Sequence, residues 1–154
     1  MRALPILILA GILSAFSASA ALPAQVLGDP KAIARVMTDL GMAVSQGHDI
    51  EGQPMLESQV DGTLFNVYFY DCTPLCRRMQ FVTGFSLAKP MSTDDANAWN
   101  RDNPFGKVVL SDAGDPYLEM DIGVAEDGLG RKNLEDTLHI WRDVMGQFRA
   151  SITE

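Results

Sequence analysis

The chain has 154 residues, with 12 lysines and arginines against 20 aspartates and glutamates, a net charge of −8. That balance repels phosphate backbones and anionic lipid, so it argues against nucleic-acid and membrane-surface partners. Its two cysteines and two histidines leave little from which to build a transition-metal centre.

Residues 1–20 read as an export signal: Arg2 supplies the positive start, Leu4 to Leu13 the apolar core, and Ala18-Ser19-Ala20 a small-residue cleavage site before Ala21. The apolar run is too short to span a bilayer comfortably. Cleavage leaves 134 residues with net charge −9, since Arg2 is lost with the signal. The expected location is therefore periplasmic or secreted. Residues 21–28 read as a loose leader and 29–154 as a single domain, large enough to bury one core.

The first helix opens on Asp29 as N-cap with Pro30 behind it. It carries Ile33, Val36, Met37 and Leu40 on one face, and Gly41 ends it. Met42 to Ser45 reads as a short strand, and residues 47–54 as a polar loop. Met55 to Val60 alternates apolar and polar residues, and Asp61-Gly62 is a hairpin signal. In the next strand Phe65, Val67 and Phe69 face a core, while Leu64, Asn66, Tyr68 and Tyr70 face the other way. Met79, Phe81 and Thr83 alternate against Arg78, Gln80 and Val82. Ser92 caps a second helix, with Asp94 and Asp95 in its first turn. Ala96 and Trp99 are its inward residues, and Asn103-Pro104 ends it. Lys107 to Leu110 and Tyr117 to Val124 form a hairpin across Asp112 to Asp115. The last helix runs from Lys132 to Ile152 with Leu134, Leu138, Trp141, Met145, Phe148 and Ile152 as its apolar stripe.

The order α-β-β-β-α-β-β-α predicts an α+β fold: a two-layer antiparallel sheet with helices packed against it.

Cys72 and Cys76 flank the loop between the two central strands. The pair fits a structural disulfide, a redox-active dithiol or half of a metal site. Redox pairs usually sit as C-x-x-C at a helix N-terminus, and a zinc site would have only His48 and His139 to add. Export supplies an oxidising setting, so a structural bridge is the expected state. Closing so small a loop is worth about 2 kcal/mol. A thiol–disulfide redox protein using Cys72 and Cys76 stands as the alternative function.

Several segments together carry a family resemblance: the glycine-ended first helix, Gly52-Gln53-Pro54, Asp61-Gly62 before the aromatic strand, and Asn97-Ala98-Trp99-Asn100-Arg101 with Phe105 and Lys107 following. Leu118-Glu119-Met120-Asp121 and the terminal helix with Trp141 complete it. From about Asp29 to Ile152 the chain resembles the YbjN-type proteins, described as bacterial sensory transduction regulators, in an exported, two-cysteine form. The resemblance implies a fold like that of type III secretion chaperones. It brings no catalytic residues and no cofactor.

Asn97, Trp99, Asn100 and Arg101 are candidate binding residues. The competing role for them is to pack the tryptophan and tie the helix end to the next strand. Asp112 to Asp115 lacks the ligand spacing of an EF-hand loop and reads as a turn. No phosphate loop, nucleophile elbow or metalloprotease motif occurs. The expected function is a non-enzymatic binding or regulatory module of the bacterial cell envelope, chaperone-like in shape. It would have a protein partner, room for a homodimer, and no metal or cofactor. Its working surface would lie on the sheet or around Trp99 to Arg101.

Overall fold

A computed structural model describes residues 25–153. The expected export signal and most of the leader lie outside these described residues. Helix α1 (Pro30–Asp39) starts on Asp29, whose carboxylate accepts the Lys31 N–H at 3.1 Å. It ends where Gly41 N–H donates to Thr38 O and Met42 N–H to Met37 O, which satisfies its last carbonyls. Four strands follow: β2 (Ala43–His48), β3 (Pro54–Val60), β4 (Thr63–Tyr70) and β5 (Arg78–Gly84). Helix α2 (Thr93–Asp102) starts on Ser92, whose hydroxyl accepts the Asp95 N–H. Strands β6 (Lys107–Leu110) and β7 (Pro116–Gly123) then precede helix α3 (Arg131–Thr153).

The six strands make one antiparallel sheet in the order β2-β3-β4-β5-β7-β6. The β3–β4 turn holds Asp61 at φ 50° and Gly62 at φ 77°, the pair of positive values that a two-residue hairpin of matching twist requires. Arg142 and Arg149 of α3 reach this turn. The Arg142 guanidinium is forked on the Asp61 carboxylate, and Arg149 donates to Asp61 O and Thr63 Oγ1, both at 2.9 Å.

One face of the sheet is covered. Leu56, Phe65, Val67, Phe69, Met79, Phe81 and Leu118 are buried there beneath α1 and α3. The α3 stripe Leu134, Leu138, Trp141, Met145 and Phe148 recurs at helical spacing and is wholly buried. Trp141 sits against Phe65 and Phe81, with ring centres 6.0 and 5.7 Å apart. Each such side chain contributes roughly 1.5–3 kcal/mol of burial.

The fold is α+β, as the residue pattern predicts, with two differences. Four strands separate α1 from α2: the short strand read at Met42 to Ser45, which the order α-β-β-β-α-β-β-α leaves out, is a full edge strand, Ala43–His48, running into the expected polar loop. Its polar Ser45, Gln46 and His48 hide the alternation, while backbone pairing to β3 fixes it, Ser45 opposite Glu57. The end of the leader is also ordered. Gln25–Val26, within the expected loose leader, forms β1 and pairs with Leu129–Gly130 (β8). Gly28 then lies so close to Cys76 that a Cβ there would stand 1.8 Å from Cys76 O, and Gly28 O accepts the Cys76 N–H at 2.9 Å. Two-residue strands are too short to leave a periodic signal.

Candidate binding face

The residues singled out in the sequence fall into two places. Cys72 and Cys76 are bonded in the β4–β5 loop. Cys76 is buried against Gly28, and the loop leads into a strand, not a helix. The disulfide thereby fixes both the central hairpin and the point where the leader docks.

The second group sits on α2. Asn100 acts as an extra strand residue at the outer edge of β6: its Nδ2 donates to Val108 O at 3.0 Å and its Oδ1 accepts the Val108 N–H at 2.7 Å. Trp99 is half-buried, edge-on to Phe148 with ring centres 4.9 Å apart. Arg101 is exposed and paired with its neighbour Asp102, and Asn97 is exposed. The structure thus joins Asn100 to β6 and Trp99 to α3, and leaves Asn97 and Arg101 facing solvent.

The other face of the sheet has no helix over it among the described residues. Alternation along the strands sends a second set of side chains there, and strand pairing lines them up. Tyr68 lies between Met55 and Gln80, Gln80 between Tyr68 and Asp121, and Val82 between Asn66 and Glu119. Tyr117 lies across from Gly84, its ring occupying the space a side chain would fill. The face stays markedly apolar: Leu64 is 70% exposed, Val109 50%, and Tyr70 and Tyr117 42% each. A groove of about 620 Å³ runs between the β2–β3 loop, at His48 to Glu51, and Tyr68, Tyr70, Gln80 and Glu119. Asp49 shapes that loop by accepting the N–H groups of Glu51 and Gln53 at 2.9 and 2.8 Å.

A polar chain crosses the middle of this face. Tyr70 O–H donates to Gln80 Oε1 at 3.2 Å, and Gln80 Nε2 donates to Glu119 Oε2 at 3.2 Å and to Asp121 Oδ1 at 2.9 Å. Partial burial, then the Asp121 charge, raises the Glu119 pKa above the usual glutamate value. Partial burial, then Glu119, raises that of Tyr70, so the phenol keeps its proton. The assembly can accept hydrogen bonds, present aromatic faces and attract a cation. It holds no nucleophile–base pair. Among the described residues no three His, Cys, Asp or Glu side chains gather as a metal site, and no helix is long and apolar enough to cross a membrane.

Tyr70, Gln80, Glu119 and Asp121 are not among the candidate site residues read from the sequence, where Glu119 and Asp121 enter only through Leu118-Glu119-Met120-Asp121. Their signal was there in the outward-facing half of each alternating strand. What brings them together is the placement of β7 beside β5.

No curated protein and no solved structure matches the chain. Residues 29–154 match the sequence profile of one family, described as "YbjN: Putative bacterial sensory transduction regulator". That description names a regulator and no reaction. With the match covering all but the first 28 residues, the chain belongs to the YbjN family.

Proposed function

We propose that this protein is a non-enzymatic binding and regulatory module of the bacterial cell envelope, and that it works by holding a protein partner on the open face of its sheet. The uncovered face carries the reading: Leu64, Val109, Tyr70 and Tyr117 leave apolar and aromatic surface in water, which folding alone gives no reason to keep. The regulator description of the family agrees with a role in binding. An envelope location is supported by the signal-like residues 1–20 together with the Cys72–Cys76 bridge, a bond that persists in oxidising compartments. Of the α2 group, Asn100 is assigned to holding α2 against β6 and Trp99 to packing α2 on α3, while Asn97 and Arg101 are left to solvent.

Cross-linking in intact cells tests this. Wild type and Arg101→Ala should give the same cross-linked species in the periplasmic fraction, and Leu64→Asp/Tyr117→Asp should lose it. Equal cross-linking by the Leu64→Asp/Tyr117→Asp protein would move the working surface elsewhere. Recovery of the protein in the cytoplasm with residues 1–20 intact would remove the envelope assignment.

A further inference from the structure

We infer that the occupant of the open face is an extended segment of a partner protein bearing arginine or lysine, whose cationic head sits on Glu119 and Asp121 beside Tyr70. This rests on the open-face reading above and specifies its chemistry.

Apolar surface alone would not choose a partner; the charge embedded in it does. Glu119 and Asp121 stand two residues apart on β7 and project from the same face. The Gln80 amide nitrogen donates to both carboxylates. Six acidic residues of the described chain, Asp39, Asp61, Asp71, Asp102, Glu126 and Glu135, are each met by an arginine and the rest are not; what sets Glu119 and Asp121 apart is their place on the open face beside Gln80 and Tyr70. Glu119 and Asp121 have no such partner among the described residues. Among the described residues two lysine or arginine side chains share their face, and both are engaged. Arg78 lies 3.4 Å from Asp71. Lys107 stands across from Glu119 in the strand ladder, yet its ammonium donates to Asn100 O and Asn103 O at the end of α2, at 2.9 and 2.6 Å.

The carboxylates therefore have no counter-charge among the described residues, Glu119 partly buried and Asp121 exposed beside it. A guanidinium can fork across carboxylate oxygens, and an ammonium can bridge them. The Tyr68 and Tyr70 rings border the same groove and offer faces to a cation. The net charge of −8 draws cations toward the molecule and keeps anionic partners away. A protein segment fits better than a small polyamine because the exposed apolar positions continue along the sheet to Leu64 and Tyr117. An extended chain places alternate side chains about 6.8 Å apart on one side, so it can set apolar residues and a cation on this face together.

Fluorescence anisotropy with a labelled Leu-Thr-Arg-Thr-Leu-Thr-Arg peptide tests the inference, using its citrulline counterpart and spermine as comparisons. The arginine peptide should bind wild type. Citrulline in place of arginine, or Glu119→Gln/Asp121→Asn in the protein, should each weaken binding by about tenfold or more. Spermine should not displace the peptide at equal concentration. No binding of the arginine peptide, or displacement by equimolar spermine, would overturn the proposal. Binding that withstands citrulline and Glu119→Gln/Asp121→Asn but is lost in Leu64→Asp would overturn the cation assignment and leave the open-face reading standing. Binding indifferent to Leu64→Asp as well would overturn both.

Discussion

The two faces of the central sheet are built from the same strands, residue by residue. In β5 Met79 and Phe81 are fully buried beneath α3, while Gln80 between them joins a polar chain on the far side. Apolar side chains serve both faces, but one set is sealed by helices and the other is left in water. The covered face therefore carries stability, and the open face is free to carry recognition.

The largest expected effect tests the first half of that contrast. Phe81 is 0% exposed and packs edge-on to Phe65 and at a tilt to Trp141. Phe81→Ala should cost about 3–5 kcal/mol in a chemical denaturation series. Leu64→Ser, on the open face one strand away, should change stability by no more than about 0.5 kcal/mol. Comparable losses at both sites would mean that something covers the open face in the isolated protein, and the contrast would fall.

The next effect concerns the loop that joins the two central strands. Replacing both cysteines, Cys72→Ala/Cys76→Ala, should cost about 2 kcal/mol, the loop-closure value for a bridge between residues four apart. Adding reductant to wild type should produce a similar drop in Tm. Because Gly28 is packed on the Cys76 backbone, the loss should appear first as faster hydrogen exchange in the β1–β8 pair. Binding at the open face should be unchanged, which separates the bridge from the recognition surface.

Asn100 marks the boundary between the two faces, at the β6 edge. Asn100→Ala leaves the Val108 N–H and C=O without their side-chain partners, at a cost of about 1–3 kcal/mol. It also exposes an edge that the amide now blocks. Asn100→Asp keeps the acceptor and loses the donor, so it should fall between wild type and alanine in thermal unfolding. If Asn100→Ala were as stable as wild type, the role of Asn100 as a strand substitute would be wrong.

What was legible in the sequence follows the same division. The strand residues Phe65, Val67 and Phe69 and the helix residues Leu134, Leu138 and Trp141 announce the covered face, because burial imposes a period of two on strands and 3.6 on helices. Asp29, Pro30, Ser92 and Asp61-Gly62 announce the boundaries, because capping and turn chemistry are local. The cluster at Tyr70, Gln80, Glu119 and Asp121 was not legible as a cluster. Glu119 and Asp121 are 39 and 41 residues from Gln80 and meet it only because β7 is set between β5 and β6. Strand order is a property of the whole fold, and no local pattern encodes it. Asn100 drew notice through its neighbour Trp99, yet its bond to Val108 could not be seen until β6 was placed.

The smallest effect tests whether charge belongs to the open face alone. Burial, and then Asp121, raises the Glu119 pKa above its ordinary value of 4.5. Between its unfolded and folded pKa values the folded chain then holds more of this proton than the unfolded chain does. Stability contributed by this group therefore falls as pH rises through that window, and at neutral pH its negative charge opposes folding. Glu119→Gln should give a slightly higher Tm than wild type at pH 7, and the difference should shrink as the pH drops below the ordinary glutamate range. The covered face behaves differently. Its buried polar groups, Ser58, Thr63 and Thr83, do not titrate in this range, so the cost of Phe81→Ala should be the same at both pH values. A Glu119→Gln protein less stable than wild type at pH 7 would mean that Glu119 is held by a counter-charge within the chain. That outcome would remove the vacancy for a partner's cation on the open face.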